Sequence, residues 1–320
     1  MRAICSHEYG GSDVLQLEEV EQPPINDHQL LVAVKAAGIN PVDTYIRGGT
    51  NNYTTTFPHI PGMDGAGEVV QVGADVKGFC TGDRVFFHRC VTGSAADFTV
   101  CDPNTTYKLP DSVSWVEGAC MGVPGLTAYR ALFNRGHAVA GESVLIHGAT
   151  GAVGTIAVQL AKAAGLNVTA SAGTEEGERL LRQLGADQIV NHRSEDYLKP
   201  WNNMDDGFDL ILEMLADVNL DRDLKALGRR GRVVVVGSRG NIEITPRDLM
   251  ARDAAVMGMA LFNGTPAEFR QISQALFPLL DSGMVKPVVR QTFALGDLAK
   301  AHDAVLQSGA AGNYVIDLSL

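Results

Sequence analysis

The sequence predicts an α/β protein in two parts, a mostly β domain followed by a doubly wound parallel sheet. Three observations predict it. The first hundred residues are short β-rich runs separated by glycines. From residue 143 onward, short apolar runs alternate with helical patterns. Between the first of those runs and the helix after it lies a glycine turn, HGATGAVG at 147–154.

The early strands are LLVAVKAAGI (30–39), GAGEVVQVG (65–73), DRVFF (83–87) and ADFTV (96–100), with turn glycines in KGFCTGDRV between two of them. Near residue 113 the pattern changes, and SWVEGACMGVPGLTAYRALFNR reads as helix broken by glycines and Pro124. Then come SVLIH (143–147), LNVTA (166–170), DQIVN (187–191), FDLILEM (208–214), RVVVVG (232–237) and AAVMGMA (254–260). Helical segments such as EEGERLLRQLG and DRDLKALGRRG separate them. Short buried strands joined by helices build a parallel sheet covered on both faces, and six of them fit two mononucleotide-binding halves. The tail adds a helix, AEFRQISQALFPLLDSG, and a strand, NYVIDLSL, expected to return to the first domain. The expected division is a β-rich domain of residues 1–124 completed by 264–320, and a Rossmann domain of residues 125–263.

Composition narrows the function. The 320 residues are 45% hydrophobic and 20% charged, as in an ordinary globular chain long enough for two domains. A net charge of −11 makes nucleic acid an unlikely partner, because phosphate binding draws on Lys and Arg. Arg229, Arg230 and Arg232 form the one local basic cluster and read as a solvated turn beside a strand. No apolar run approaches the ~20 residues of a membrane helix, and MRAICSHEYGG lacks a signal stretch, so the expected location is cytoplasmic with no membrane partner. The five cysteines (5, 80, 90, 101, 120) show no C-x-x-C pair, which suits free thiols in a reducing compartment.

The glycine turn carries the first functional signal. Glycines at 148, 151 and 154 give G-x-x-G-x-x-G, with Ala149 and Thr150 between the first two. Glycine permits a tight turn and close backbone approach, and the helix that follows points its free N–H groups at a pyrophosphate. Val153, Ile156, Ala157, Leu160, Ala161 and Ala164 give that helix one apolar face. The turn opens a six-strand series, the context a dinucleotide site requires. NAD binders place an acid at the end of the second strand, about 20 residues on, to hold the ribose 2′-OH. Here that strand ends Thr169-Ala170-Ser171-Ala172-Gly173-Thr174, with no acid before Glu175 and Glu176. This leaves room for a 2′-phosphate, and His192 and Arg193 after the third strand supply positive charge, so NADP is favoured. The two glutamates pull the other way unless they serve as first-turn helix acids.

A metal is not expected. Structural zinc needs closely spaced cysteines, and none exist. In zinc-dependent members of the medium-chain dehydrogenases, one catalytic ligand lies in a G-H-E segment, and here PGMDGAGEV puts Met63 in the histidine place. Asn40 and Pro41 occupy the region of the cysteine ligand. The eight histidines show no H-x-x-x-H spacing and read as satisfied surface or core residues. Without a Lewis acid, alcohol oxidation is disfavoured, and reduction of an electron-poor acceptor is easier.

The strings INPVDTYIRGG, IPGMDGAGEV, GVPGLTAYRAL, GESVLIHGATGAVG, AGTEEG, NHR, EMLADVNL, VVVVGSRGNIEITPRD and LFN resemble those of the zinc-independent quinone oxidoreductases, a medium-chain dehydrogenase/reductase family of the zeta-crystallin type. The resemblance runs along nearly the whole chain. It implies a GroES-like catalytic domain beside the Rossmann domain, NADPH as cofactor, quinone reduction, and a homodimer or homotetramer. Carried over position by position, the cofactor site is Tyr45; Thr150, Gly151, Ala152 and Val153; Gly173 and His192 around the adenosine phosphate; Asn219; Val236, Gly237, Ser238 and Arg239; and Ala260, Leu261 and Phe262. Ala260 stands where close relatives carry a hydroxyl residue, so any bond there must come from backbone. The loop YLKPWNNMDDG looks shortened.

The expected chemistry is hydride or electron transfer from nicotinamide to an acceptor walled by Asn40, Tyr45, Ile46 and Met63, with Leu126 and Phe262 nearby. Tyr45 is the candidate to polarise a quinone oxygen or stack on the ring, and Asn40 to donate to the same oxygen. No proton donor is identified. The alternatives are reduction of 2-alkenals or enones, and a non-enzymatic role of the kind found among relatives that serve as lens crystallins or RNA binders while retaining NADPH. The last strand, AAVMGMA, offers an edge for dimer pairing.

Overall fold

The structure is a computed structural model that describes residues 1–320 except 51, 308 and 310. It divides into two compact units: residues 1–124 with 265–320, and residues 125–264.

In the first unit, β1 (Arg2–Cys5) and β2 (Gln16–Glu19) pair antiparallel. Strand β3 (Leu30–Ile39) is the spine of a larger sheet. After it come helix α1 (Pro41–Gly48), β4 (Asp64–Val72), β5 (Arg84–His88), β6 (Phe98–Cys101), β7 (Thr106–Lys108) and the single turn α2 (Trp115–Gly118). Both faces of β3 are buried, which explains its near-continuous apolar run. Asn40 and Pro41 start α1 as cap and first residue, and Gly49 ends it with a left-handed φ of 60°. Ser114 and Glu117 cap α2 reciprocally, the S-x-x-E arrangement.

The second unit opens on the short helix α3 (Leu126–Tyr129), then alternates. Its elements are β8 (Ser143–Ile146), α4 (Ala152–Ala163), β9 (Asn167–Ala172), α5 (Glu175–Gln183), β10 (Gln188–Asn191), β11 (Phe208–Glu213), α6 (Ala216–Ala226), β12 (Leu227–Val235), α7 (Pro246–Met250) and β13 (Ala255–Gly258). The strands form one parallel sheet in the order β10-β9-β8-β11-β12-β13. The order reverses between β8 and β11, the point beside which open α/β sheets bind ligands. Leu145, Ile211 and Val233 fill its interior.

One segment differs from expectation. Strand β12 starts at Leu227 rather than 232, and the helix before it stops at Ala226. Phe208 pairs with Leu227 and Leu210 with Arg232, so residues 228–231 bulge out of register. The bulge sorts the arginine cluster. Arg229 and Arg230 are exposed. Arg232 instead turns onto Glu142 at 2.7 Å and the carbonyls of Gly136, His137 and Asp209, so it is a structural residue rather than a solvated one.

The tail completes the first unit with α8 (Pro266–Asp281), β14 (Val289–Phe293), α9 (Leu298–Val305) and β15 (Asn313–Asp317). Strand β15 pairs with β3, Tyr314 opposite Ile39, and the sheet runs β14-β15-β3-β4-β5-β7 with β6 also on β3.

Candidate coenzyme and acceptor residues

The glycine turn joins β8 to α4. Gly148 takes a left-handed φ of 55°, and its N–H donates to Ser171 Oγ at 3.1 Å. Gly151 caps α4 in extended conformation, and no side chain caps the helix start. The first-turn amides, Ala152 and Val153 among them, are left for an external anion. The glycines serve different ends. A Cβ at Gly154 would collide with the Gly148 carbonyl and lie 2.5 Å from Ala149 Cα, so Gly154 lets the helix lie against the turn. A Cβ at Gly151 would meet only the Gly148 oxygen, at 3.3 Å. Gly151 is thus far less crowded than Gly154, as a phosphate cradle requires.

At the ends of β9 and β10, Gly173, His192 and Arg193 come together. A Cβ at Gly173 would lie 2.6 Å from His192 Nε2 and 3.1 Å from Arg193 Nε. Burial, then His147 and Arg193, lower the His192 pKa. His192 is therefore a neutral hydrogen-bonding ring at pH 7, and Arg193 is the cation. Glu175 and Glu176 lie in the first turn of α5, whose cap Thr174 accepts from the Gly177 N–H. That accounts for them as helix acids.

The ends of β11, β12 and β13 carry the other predicted residues. Val236 and Gly237 donate to the Glu213 carbonyl at 2.8 and 3.3 Å, and Ala216 donates to the Gly237 carbonyl at 2.9 Å. Asp217 Oδ1 accepts from the Arg239 N–H at 2.8 Å and from Ser238 Oγ at 3.3 Å. Asn219 Nδ2 donates to Glu213 Oε1 at 3.2 Å. The Ala260 carbonyl accepts from Arg130 Nη1 at 2.9 Å and from the Asn263 N–H, while Leu261 is buried and Phe262 half-buried. The coenzyme residues predicted from 150 to 262 therefore share the C-terminal edge of one sheet.

Asn40 and Tyr45 belong to the first unit. Asn40 is 4% exposed. Its Nδ2 donates to Asp64 Oδ1 at 2.8 Å and its backbone N–H to Asp43 Oδ2 at 2.8 Å. Asp64 Oδ2 accepts from the Val123 N–H at 2.7 Å. Burial, and then the Asp64 charge, push the Asp43 carboxyl up to about 8, and burial raises Asp64 to about 7. Tyr45 is half-buried on α1, its ring centroid 6.4 Å from that of Tyr53. Ile46 and Met63 are half-buried as well.

Asp43, Asp64, Glu213 and Asp223 escaped the sequence reading. Their signal is an ionisable residue inside an apolar or glycine-rich run, as in PGMDGAGE and FDLILEM. His147, read there as one lone histidine, is fully enclosed by two of these acids. Among the described residues, His147, Glu213 and Asp223 are also the group whose ligating atoms cluster closely enough for a cation.

Residues 26–142 match the model of the alcohol dehydrogenase GroES-like domain, and residues 152–277 that of the zinc-binding dehydrogenases. The human quinone oxidoreductase is 43% identical over 99% of this chain and 97% of its own, and that of Rattus norvegicus is 45% identical over the same shares. The chain belongs to the quinone oxidoreductase family. Its type is that of the zeta-crystallins, within the medium-chain dehydrogenases and reductases. The solved structure of Escherichia coli quinone oxidoreductase complexed with NADPH superposes with a TM-score of 0.89 at 29% identity, covering 99% of this chain and 100% of that one. This α/β fold, a GroES-like domain with a Rossmann sheet, is the one expected from the strand and helix rhythm.

Proposed function

We infer that this chain is an NADPH-dependent quinone oxidoreductase, and the observation that carries the reading is the uncapped start of α4 after Gly151. The donor set suits a diphosphate: the first-turn amides of Ala152 and Val153, beside Thr150 and Gly151, and no acidic side chain in that turn. Arg193 and His192 beside Gly173 suit a 2′-phosphate, with Arg239 a second cation steadied by Asp217 through its backbone. Bound there, NADPH supplies a hydride, and with one proton from water the quinone becomes hydroquinone. Asn219, Val236, Gly237, Ser238, Ala260, Leu261 and Phe262 line the rest of the coenzyme's path.

In the first unit, Tyr45 stacks on or donates to the acceptor. Asn40, with one amide hydrogen on Asp64, offers its second to the acceptor oxygen. The half-buried Ile46 and Met63 supply apolar wall. The division of labour follows the two units, coenzyme in residues 125–264 and acceptor residues in the other.

Fluorescence titration with NADPH and NADH tests the coenzyme, with NADPH binding at least tenfold tighter. Steady-state rates with a short quinone and a 2-alkenal test the acceptor. A strong preference for the alkenal overturns the quinone assignment in favour of enone reduction.

The assembly we propose is a homodimer through the edge strand β13, where Val256 and Met257 are half-buried and, among the described residues, one side of the strand has no partner strand in the sheet. Light scattering at micromolar concentration reads the mass, and a monomer contradicts it. No helix among the described residues is long and apolar enough to cross a membrane. With five free thiols, a reducing compartment such as the cytoplasm suits the chain.

A further inference from the structure

The interior of the nucleotide unit holds a group that the reaction does not use. His147 follows β8 and directly precedes Gly148, Glu213 ends β11, and Asp223 lies on α6. Their exposures are 2%, 0% and 0%. His147 Nε2 sits 2.8 Å from Asp223 Oδ1 and 3.4 Å from Glu213 Oε2. The His147 main chain donates to the Leu212 carbonyl at 3.0 Å, so the three residues tie together the two strands at which the sheet order reverses.

Glu213 is the centre of this arrangement. Its Oε1 accepts from the Leu215 N–H and from Asn219 Nδ2. Its carbonyl accepts from Val236 and Gly237. Three residues assigned to the coenzyme therefore hang on one buried acid. Among the described residues, Glu213 Oε2 and Asp223 Oδ2 are buried oxygens with no hydrogen-bond partner. Burial raises both acids and lowers the imidazole. Two carboxylates cannot both stay charged in that dry space, so one of the two acids keeps its proton. That leaves Oε1 of Glu213 free to accept from Leu215 and Asn219.

We propose that Glu213, braced by His147 and Asp223, is a positioning residue for the coenzyme, fixing the Asn219 amide by its side chain and the Val236–Gly237 backbone by its carbonyl. The proposal rests on the coenzyme reading above. It deepens that reading by assigning a supporting role to residues that touch no ligand. A cation is the competing occupant of the same three side chains. The 2.8 Å His147–Asp223 contact is a hydrogen-bond length, and a proton kept by one acid already removes one of the two negative charges.

The test is a coupling measurement on the full chain, reading the NADPH dissociation constant and the KM and kcat with a short quinone. Glu213→Leu weakens NADPH by about tenfold and raises its KM alike, with kcat within about twofold, the size expected for losing one oriented hydrogen bond. Glu213→Gln restores wild-type binding, because the amide oxygen still accepts from Leu215 and Asn219 while its NH₂ faces Asp223. In an Asn219→Ala background, Glu213→Leu causes no more than about a twofold further loss. Should Glu213→Leu fail to fold, Asn219→Ala decides alone, since it must weaken NADPH by a similar factor. Equal binding by Asn219→Ala and wild type, or additive losses in the double variant, overturns the proposal. So does a rise in melting temperature with zinc chloride that is seen in the wild type and absent in His147→Asn. A wild-type chain that does not bind NADPH sinks the coenzyme reading itself, whereas wild-type binding matched by Glu213→Leu sinks only this proposal.

Discussion

Each unit buries a pair of carboxyls around an asparagine, and the two pairs are built differently. In the first unit, Asp43 and Asp64 enclose Asn40, with no imidazole or cation bonded to them among the described residues. Main-chain and amide N–H groups bond to three of their four oxygens, holding the backbone where β3 passes into α1 and the Asn40 side chain. In the second, Glu213 and Asp223 face a histidine, and the acids serve residues assigned to a ligand. The same desolvation produces a brace for the start of α1 and its Asn40 in one place and a brace for the coenzyme edge in the other. On this view, damage to the first pair appears mainly in stability, and damage to the second region mainly in coenzyme affinity.

The sharpest way to break that contrast is Asp64→Leu. It strands the Asn40 amide and the Val123 N–H in a dry interior, and the expected loss is about 2–5 kcal/mol of unfolding free energy, read from urea denaturation. A stable variant that had lost only coenzyme would reverse the assignment of the two regions. Gly151→Val is the counterpart. Its side chain meets only the Gly148 oxygen, at 3.3 Å from Cβ, so NADPH affinity falls at least about a hundredfold while stability changes by no more than about 1–2 kcal/mol. Gly154→Ala, which must push against Ala149 and Gly148, costs about 1–3 kcal/mol and shows as an earlier thermal midpoint.

Proton linkage sharpens the comparison further. Asp43 holds its proton up to about pH 8 in the folded chain and loses it near 3.8 when unfolded. Its stabilising contribution is therefore complete below about pH 4 and declines as pH rises towards 8. Asp64, Glu213 and Asp223 act in the same direction, so the comparison that isolates Asp43 is between the wild type and Asp43→Asn. The variant's thermal midpoint should fall less steeply between pH 5 and 8, and parallel curves would remove Asp43 from the account. The smallest effect belongs to Arg193→Ala, which should weaken NADPH about tenfold while leaving NADH unchanged. Equal losses for both coenzymes would place Arg193 away from the 2′-phosphate.

Much of this was legible locally. The glycine turn and the strand β3 follow from residues adjacent in the chain, and the structure places them within a residue or two of expectation. The end of α6 was misplaced because DRDLKALGRRG continues a helical pattern, while pairing with β11 pulls Leu227 into the sheet and bulges 228–231. Arg232 was misread for the same reason, since its partner Glu142 lies ninety residues earlier. The acids were missed because their partners are remote in sequence. Asn40 meets Asp64 only through the pairing of β3 with β4, and His147 meets Asp223 only once α6 lies beside the sheet.

The sequence by itself determined the alternation of strand and helix, the family, and a turn able to seat a diphosphate, because those depend on periodicity and on which residues tolerate a tight backbone. Only the tertiary structure decided which carboxyls leave water and therefore keep a proton. That depends on the whole surroundings of a side chain, and residues distant along the chain supply them.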